Sequence, residues 1–341
     1  MRVAGRAACA SARVDGPRFA LSASPSAAAT RARERERVLL CGEGDFSFAL
    51  ALARAVRDRG VEITATSLAG AEETREAWRG AENLDALRRE RAIAGVMHEV
   101  DATALTKTFG ADGRFDRVCF NFPHSSGKGK IHKNRELLKA YIGEALRVTA
   151  RRGTVECALA PGQGGTSADG ARLREYGNSW QAYARGAECG ALLIEATPFD
   201  DEAWREAGYE SRGHWRSARA ERGFQTSGGV VHVFCDEHRA RELGARCDHA
   251  PSFIRDVSVW TDDARTDDAE SALLRAFELA FDGADVRVDA VRRVDVWLDP
   301  VSGRASVTVR ARLTSSSVAL TSDVINALVA RARDRLGARL R

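Results

Sequence analysis

The chain has 341 residues, 44% hydrophobic and 29% charged, which excludes a disordered polymer and leaves room for two packed domains of about 100–200 residues each. No run of about 18 apolar residues occurs, so no membrane-spanning helix is expected, and seven cysteines without paired spacing argue against a disulfide frame or a metal site. The net charge of +4 is local: residues 1–33 carry six Arg and one Asp, whereas 34–249 carry 32 basic and 33 acidic groups and 250–341 carry 14 of each.

Residues 1–36 read as a disordered leader. The Ala, Ser and Arg content of residues 1–33 and their single acid fit an organelle transit peptide, for a chloroplast or a mitochondrion. They fit equally an uncleaved extension on a protein of the nucleolus or cytoplasm. Residues 38–41 form an apolar run that predicts a buried strand, closed by a turn over 42–45 and a helix over 46–59 that Gly60 ends. A second strand is expected over 61–67, then a charged helical stretch over 71–94, broken near Gly80. Strands follow at 96–100 and 117–122, and a strongly amphipathic helix at 135–149. A fifth strand at 154–159 leads into a Gly-rich loop over 161–170 and a helix over 180–190. Residues 192–197 and 230–234 read as an antiparallel pair. Strands that alternate with helices predict a mostly parallel sheet covered on both faces.

Residues 236–250 are polar and read as a linker. Beyond them, strands are expected at 254–260, 286–298 and 306–314, with helices at 268–281 and 321–336, the last capped by Thr321 and Asp323. That order over about 90 residues is the order of a ferredoxin-like α+β sandwich.

Two strand ends carry the chemistry. In an open α/β sheet, ligands bind at the carboxyl ends of strands. The first such end, Cys41-Gly42-Glu43-Gly44-Asp45-Phe46-Ser47-Phe48, is a G-x-G turn that brings backbone close to a ligand. The third glycine of a dinucleotide fingerprint is absent, because Ser47 holds its position. Glu43 and Asp45 would repel a pyrophosphate and suit a cation. A plain tight turn with Asp45 or Ser47 as helix cap is the competing reading. The second end, Asn121-Phe122-Pro123-His124, combines an amide, an aromatic, a proline and a histidine. It fits a substrate loop, and also a simple strand stop with Phe122 in the core and His124 as a cap. A third signal is lysine usage. Of five lysines, Lys128, Lys130, Lys133 and Lys139 fall in the twelve residues 128–139, just after the His124 loop, and with Arg135 against Glu136 they make a local charge of +4 that fits either a phosphate-attracting loop or a solvated helix start.

These words, with Thr64-Ala65-Thr66-Ser67-Leu68, Val100-Asp101-Ala102-Thr103 and Lys133-Asn134-Arg135-Glu136-Leu137-Leu138, resemble the ribosomal-RNA uridine-N3 methyltransferases first known from fungi. Gly162-Gln163-Gly164-Gly165-Thr166 and Asn178-Ser179-Trp180-Gln181 resemble a branch of that family with a C-terminal ferredoxin-fold anticodon-binding domain. Residues 251–341 are similar to such a domain, as found at the end of phenylalanyl-tRNA synthetase.

The resemblance implies a Rossmann-like methyltransferase sheet over 37–235 and S-adenosylmethionine as methyl donor. Gly42, Glu43, Gly44, Asp45, Phe46 and Ser47 would line its methionine part, and Asp101 its adenine side. Ala69 stands where similar sequences place a carboxylate for the ribose, a contact whose loss costs about 1–3 kcal/mol. Asn121, Phe122, Pro123 and His124 would hold the target uracil. Asn121 bonds a carbonyl, Phe122 stacks, and His124 takes the N3 proton, because histidine titrates near neutrality. Lys128, Lys130, Lys133 and Arg135 would contact RNA, ribosomal RNA first and transfer RNA second. No metal is expected. The C-terminal strands lack Tyr and Phe and their domain is neutral, so weak RNA contact or a protein-interaction role is expected there. The rival reading is a non-catalytic RNA-binding or assembly module.

Overall fold

The structure, a computed structural model, describes residues 35–77, 79–125, 130–212, 223–244, 246–261, 268–281, 283 and 285–337. Residues 1–34 of the expected leader and Lys128 lie outside them, whereas Arg35 and Glu36, assigned to that leader, are described and Glu36 opens the first strand, its N–H donating to the Gly60 carbonyl at 3.0 Å. β1 (Glu36–Cys41) is an interior strand, and its alternation explains the layers. Leu39 and Cys41 join one buried cluster, Val38 and Leu40 the other. A strand buried on both faces reads as a continuous apolar run, which is why 38–41 was legible. α1 (Ser47–Ala55) follows, then β2 (Val61–Thr66), α2 (Ala71–Glu76) and α3 (Gly80–Leu87). β3 (Ile93–Met97) begins three residues before its predicted start. α4 (Leu105–Phe109), β4 (Phe115–Asn121) and α5 (Ile131–Val148) come next.

β5 (Thr149–Leu159) begins five residues before its predicted start. The early part pairs Phe115 with Thr149 before a register shift to Arg117 and Thr154. Gly153 sits at that irregularity, where a Cβ would lie 2.6 Å from the Asp116 carbonyl oxygen. α6 (Ala182–Ala187), β6 (Ala191–Pro198), α7 (Asp201–Glu206) and β7 (Val230–Asp236) complete the sheet. Its order is β3-β2-β1-β4-β5-β7-β6, with β7 antiparallel to both neighbours. The strand order therefore reverses between β1 and β4, and both loops singled out in the sequence leave the sheet at that switch.

Side-chain chemistry holds the central pair of strands from both faces. Tyr141 of α5, fully buried, places its hydroxyl 2.9 Å from the Val118 carbonyl and 2.8 Å from that of Glu156. On the α1 side, Arg117 donates twice to the Glu156 carboxylate, at 2.8 Å each, with Glu36 3.7 Å away. The segment expected as a linker carries α8 (Glu237–Leu243), capped by the Asp236 carboxylate on the Arg239 N–H at 2.7 Å. No helix among the described residues is long and apolar enough to cross a membrane, and the six described cysteines are free thiols.

The C-terminal unit is β8 (Phe253–Thr261), α9 (Asp268–Phe281), β9 (Val286–Leu298), β10 (Ala305–Ser315) and α10 (Ser322–Leu336). The sheet order is β8-β10-β9, antiparallel throughout, and Leu273, Phe277, Ile325 and Leu328 pack on one face. Thr321 caps α10 by accepting the Val324 N–H at 3.2 Å, while Asp323 lies in the first turn. Arg255 donates to the Asn326 side chain of α10 at 2.9 Å. The aromatic residues of this sheet are Phe253, at the start of β8, and two tryptophans. Trp260 and Trp297 both pair with Ser306, their ring centroids 6.0 Å apart, with Arg304 5.4 Å over Trp260. Contacts between the units include the Glu237 carboxylate accepting the Ala319 N–H at 3.3 Å, Arg241 lying 3.7 Å from Asp285, and Tyr183 meeting Phe253 with ring centroids 6.4 Å apart.

Candidate active site

β1 enters a left-handed turn at Gly42 (φ +69°), where a Cβ would lie 2.2 Å from the Phe120 ring. Glu43 donates its N–H to Thr66 at 2.8 Å, fastening the loop to β2, and its carboxylate accepts the Ala49 N–H at 3.0 Å. Asp45 uses one carboxylate oxygen to accept the Ser47 N–H (3.0 Å) and hydroxyl (2.8 Å). The other oxygen, Oδ2, is buried and has no hydrogen-bond donor among the described residues. Asn83 of α3 donates to the Asp45 carbonyl at 2.8 Å. Phe46, fully buried at φ 60°, points its ring at His98, with centroids 5.7 Å apart.

Burial pushes the Glu43 carboxyl up to about 8, against the lowering effect of the Ala49 N–H. Burial likewise raises Asp45 to about 6, against its bonds from Ser47. A buried carboxylate oxygen without a donor, beside a second acid, is a place for a cation. A sulfonium bearing an α-ammonium group fits it; a pyrophosphate does not.

The neighbouring strand ends close around Ala69. Its carbonyl accepts from the Ser67 hydroxyl at 2.8 Å and from the Glu99 N–H at 3.3 Å. Ser67 also lies 2.8 Å from His98 Nδ1. Asp101 is exposed just beyond β3, where one carboxylate oxygen accepts the Thr103 N–H (2.8 Å) and hydroxyl (2.7 Å).

At the end of β4, Phe122 adopts φ +50° and donates its N–H to the Ala158 carbonyl at 2.8 Å. A positive φ at a non-glycine residue costs free energy and turns its ring under the β6–β7 connection. There it meets Phe199 edge-on (4.9 Å, 84°) and Phe224 at a tilt (5.4 Å, 50°). Pro123 is buried and His124 exposed. Asn121 lines a cavity of about 490 Å³ on the α1 side of the sheet, with Phe48, Arg117, Cys119, Glu156 and Trp204. Asn134, buried on α5, accepts from the Ser125 N–H (3.3 Å) and hydroxyl (2.7 Å) and so tethers the residue after His124. Lys130 and Lys133 are exposed at the start of α5, and Lys139 pairs with Glu188 at 3.0 Å. The Arg135 guanidinium donates to the carbonyls of Ser179 (2.7 Å) and Gly177 (2.8 Å), clamping the loop before α6.

The loop after β5 is wound around Asp169, whose carboxylate accepts the N–H groups of Gly162 (2.9 Å), Gly165 (2.8 Å) and Thr166 (3.3 Å). Gly164 lies against buried His232; a Cβ there would be 2.4 Å from the ring. Burial lowers His232 to about 4, so this ring stays neutral. No cluster of three or more His, Cys, Asp or Glu among the described residues can hold a metal.

The structure thus brings the Gly42–Ser47 loop and the Asn121–His124 loop to one edge of the sheet. It adds Asn83 and Asn134, which hold those loops from behind, and Asp169, which holds the loop after β5. Asn134 left a trace in the sequence: an amide between Lys133 and Arg135 at a position that α5 buries.

Residues 39–213, just over half of the chain, match the family described as rRNA (uridine-N3-)-methyltransferase BTM5-like. Ferredoxin-fold anticodon-binding domain-containing protein 1 of Homo sapiens is 41% identical over 181 residues, covering 52% of this chain and 27% of that protein; its Mus musculus homolog is 41% identical over 182 residues, with the same coverage. The match therefore spans about a quarter of these relatives' length. Among solved structures, TrmN from Thermus thermophilus has a TM-score of 0.35 at 17% identity, over 60% of this chain and 45% of that chain. The 16S rRNA (adenine(1408)-N(1))-methyltransferase from Catenulisporales acidiphilia has 0.35 at 16%, over 59% and 85%. The chain belongs to the rRNA (uridine-N3-)-methyltransferase BTM5-like family.

Proposed function

We propose that the protein is an S-adenosylmethionine-dependent RNA methyltransferase that methylates N3 of uridine, in ribosomal RNA or, second, in transfer RNA. The observation that carries the donor assignment is the unpartnered, buried Oδ2 of Asp45 beside Glu43, in a loop at the switch of a seven-stranded sheet. S-adenosylmethionine, when bound, supplies a methyl group on a sulfonium. Asp45 supplies the negative charge for its positive end, Glu43 lines the loop as a neutral carboxyl anchored on the Ala49 N–H, and Gly42 gives the backbone the turn that admits it. Asp101 faces the adenine side.

At the second loop, Asn121 hydrogen-bonds a uracil carbonyl and orients the ring. His124 accepts the proton from N3, leaving a nitrogen lone pair able to attack, a role general bases fill with gains of about 10²–10⁴. Lys130 and Lys133 meet the phosphates.

A second reading has one observation in its favour. The Ala69 loop is closed by its own hydrogen bonds, with no carboxylate at the ribose position. On that reading the fold serves RNA binding or assembly without chemistry. Calorimetry of the full chain with S-adenosylmethionine and S-adenosylhomocysteine separates the two. Micromolar binding supports the enzyme; absence of heat for folded protein rejects it.

A further inference from the structure

The described parts of the β6–β7 connection, residues 199–212 and 223–229, contribute aromatic rings to both loops of the site. Its Phe199, Trp204 and Tyr209 pack on Phe48, just inside α1, with Trp204 at 4.8 Å and Tyr209 at 5.5 Å. Phe199 and Phe224 pack on Phe122, at the end of β4. The cluster runs from closed to open. Phe48, Phe199, Trp204 and Tyr209 are 4–6% exposed, whereas Phe224 is 36% exposed.

Phe122 is committed on two sides by Phe199 and Phe224. On a third, Gly229 keeps room for it, since a Cβ there would lie 3.0 Å from its Cε1. Phe224, by contrast, presents ring surface to solvent beside the Asn121–His124 loop while its backbone is fixed. Its N–H donates to Ser211 at 2.8 Å, and Gly223 lies so close that a Cβ would be 2.4 Å from the same carbonyl oxygen. One residue earlier, the Glu210 N–H and carbonyl both lie 3.2 Å from the Ser47 hydroxyl of the donor loop. A short run of backbone thus joins the donor loop to an exposed, positioned aromatic ring.

We infer that Phe224 is the ring on which the target base stacks, and that Phe122 is a positioning residue beneath it. The inference rests on the RNA-methyltransferase reading above and names a substrate contact within it. Bases released from a helix stack on aromatic side chains, and the contact tolerates any aromatic but no aliphatic replacement.

Full-length wild type, Phe224→Ala, Phe224→Leu and Phe224→Tyr are compared with tritiated S-adenosylmethionine and total RNA from cells lacking the gene. Steady-state constants for RNA, thermal melting and donor affinity are read together. Phe224→Ala and Phe224→Leu lower kcat/KM for RNA by about 5- to 100-fold. Phe224→Tyr stays within about threefold, and donor affinity is unchanged in all. An active wild type with Phe224→Leu equal to it overturns the inference alone, because apolar packing then suffices. Loss of donor binding in Phe224→Ala overturns it too, since the ring would act through Ser47. Wild type that transfers no methyl to this RNA removes the inference together with the reading on which it rests.

Discussion

Asp45→Asn separates the cost of the donor loop from its use. The carboxyl is 4% exposed and burial raises it from 3.8 to about 6. The folded state therefore holds this proton more tightly than the unfolded state. Below about pH 4 the group is protonated in both states and costs nothing. Between 4 and 6 the cost grows, and above 6 it is constant. Two units at about 1.4 kcal/mol each give about 3 kcal/mol. Asparagine keeps the oxygen that accepts from Ser47 and puts an amide where Oδ2 has no donor. The variant is expected to be more stable by about 2–3 kcal/mol at pH 7.5, and by about half of that at pH 5. For a domain of this size each kcal/mol raises Tm by about 2–4 °C. The same change removes the charge facing the donor's cation. Truncating one member of a buried charge pair costs about 2–5 kcal/mol, so S-adenosylmethionine binding weakens by at least about 30-fold. Melting followed by circular dichroism at the two pH values, with calorimetric titration, measures both effects. A variant less stable than wild type at pH 7.5, or one that binds the donor unchanged, refutes the reasoning.

Other perturbations read other parts of the structure. In wild type, donor affinity rises from pH 5 to pH 7 as Asp45 ionises, and a flat calorimetric profile would count against Asp45 as the contact. Arg117→Met strands the Glu156 carboxylate, 2.8 Å from its lost partner, and is expected to cost about 3–5 kcal/mol in urea unfolding; Arg117→Met with Glu156→Leu recovers most of it. Tyr141→Phe loses one buried hydroxyl bond between β4 and β5, for about 1–2 kcal/mol by the same assay. His124→Ala is expected to lower methyl transfer by about 10²–10⁴ while donor affinity stays constant. Equal transfer rates would return His124 to the role of a loop residue.

The sheet was legible because β1 is apolar on both faces, because residues 117–122 and 154–159 are mostly apolar apart from the Arg117–Glu156 pair, and because glycine, proline or an amide marks where these strands stop. The short helices were not. α4, α7 and α8 have five to seven residues, too few for a helical period to stand out, and α8 lies in a charged stretch that reads as linker. The early start of β5 depends on the irregular pairing around Gly153, which only the register with β4 reveals.

The two site loops were visible as words, yet what supports them was not. Asn83 reaches Asp45 across 38 positions, and Phe199 and Phe224 reach Phe122 across more than 70. Arg135 was grouped with the lysines by charge, while its geometry gives its donors to backbone carbonyls. A charge count cannot distinguish an arginine that clamps a loop from a lysine that faces solvent. The search for Tyr and Phe on the C-terminal strands likewise passed over Trp260 and Trp297, which the antiparallel register sets on either side of Ser306.

The most direct test is nucleoside mass spectrometry on ribosomal and transfer RNA from cells lacking the gene, with and without the wild-type or His124→Ala protein. The account predicts that 3-methyluridine disappears from one ribosomal RNA, returns with wild type and does not return with His124→Ala. Unchanged 3-methyluridine in both RNA classes would contradict it.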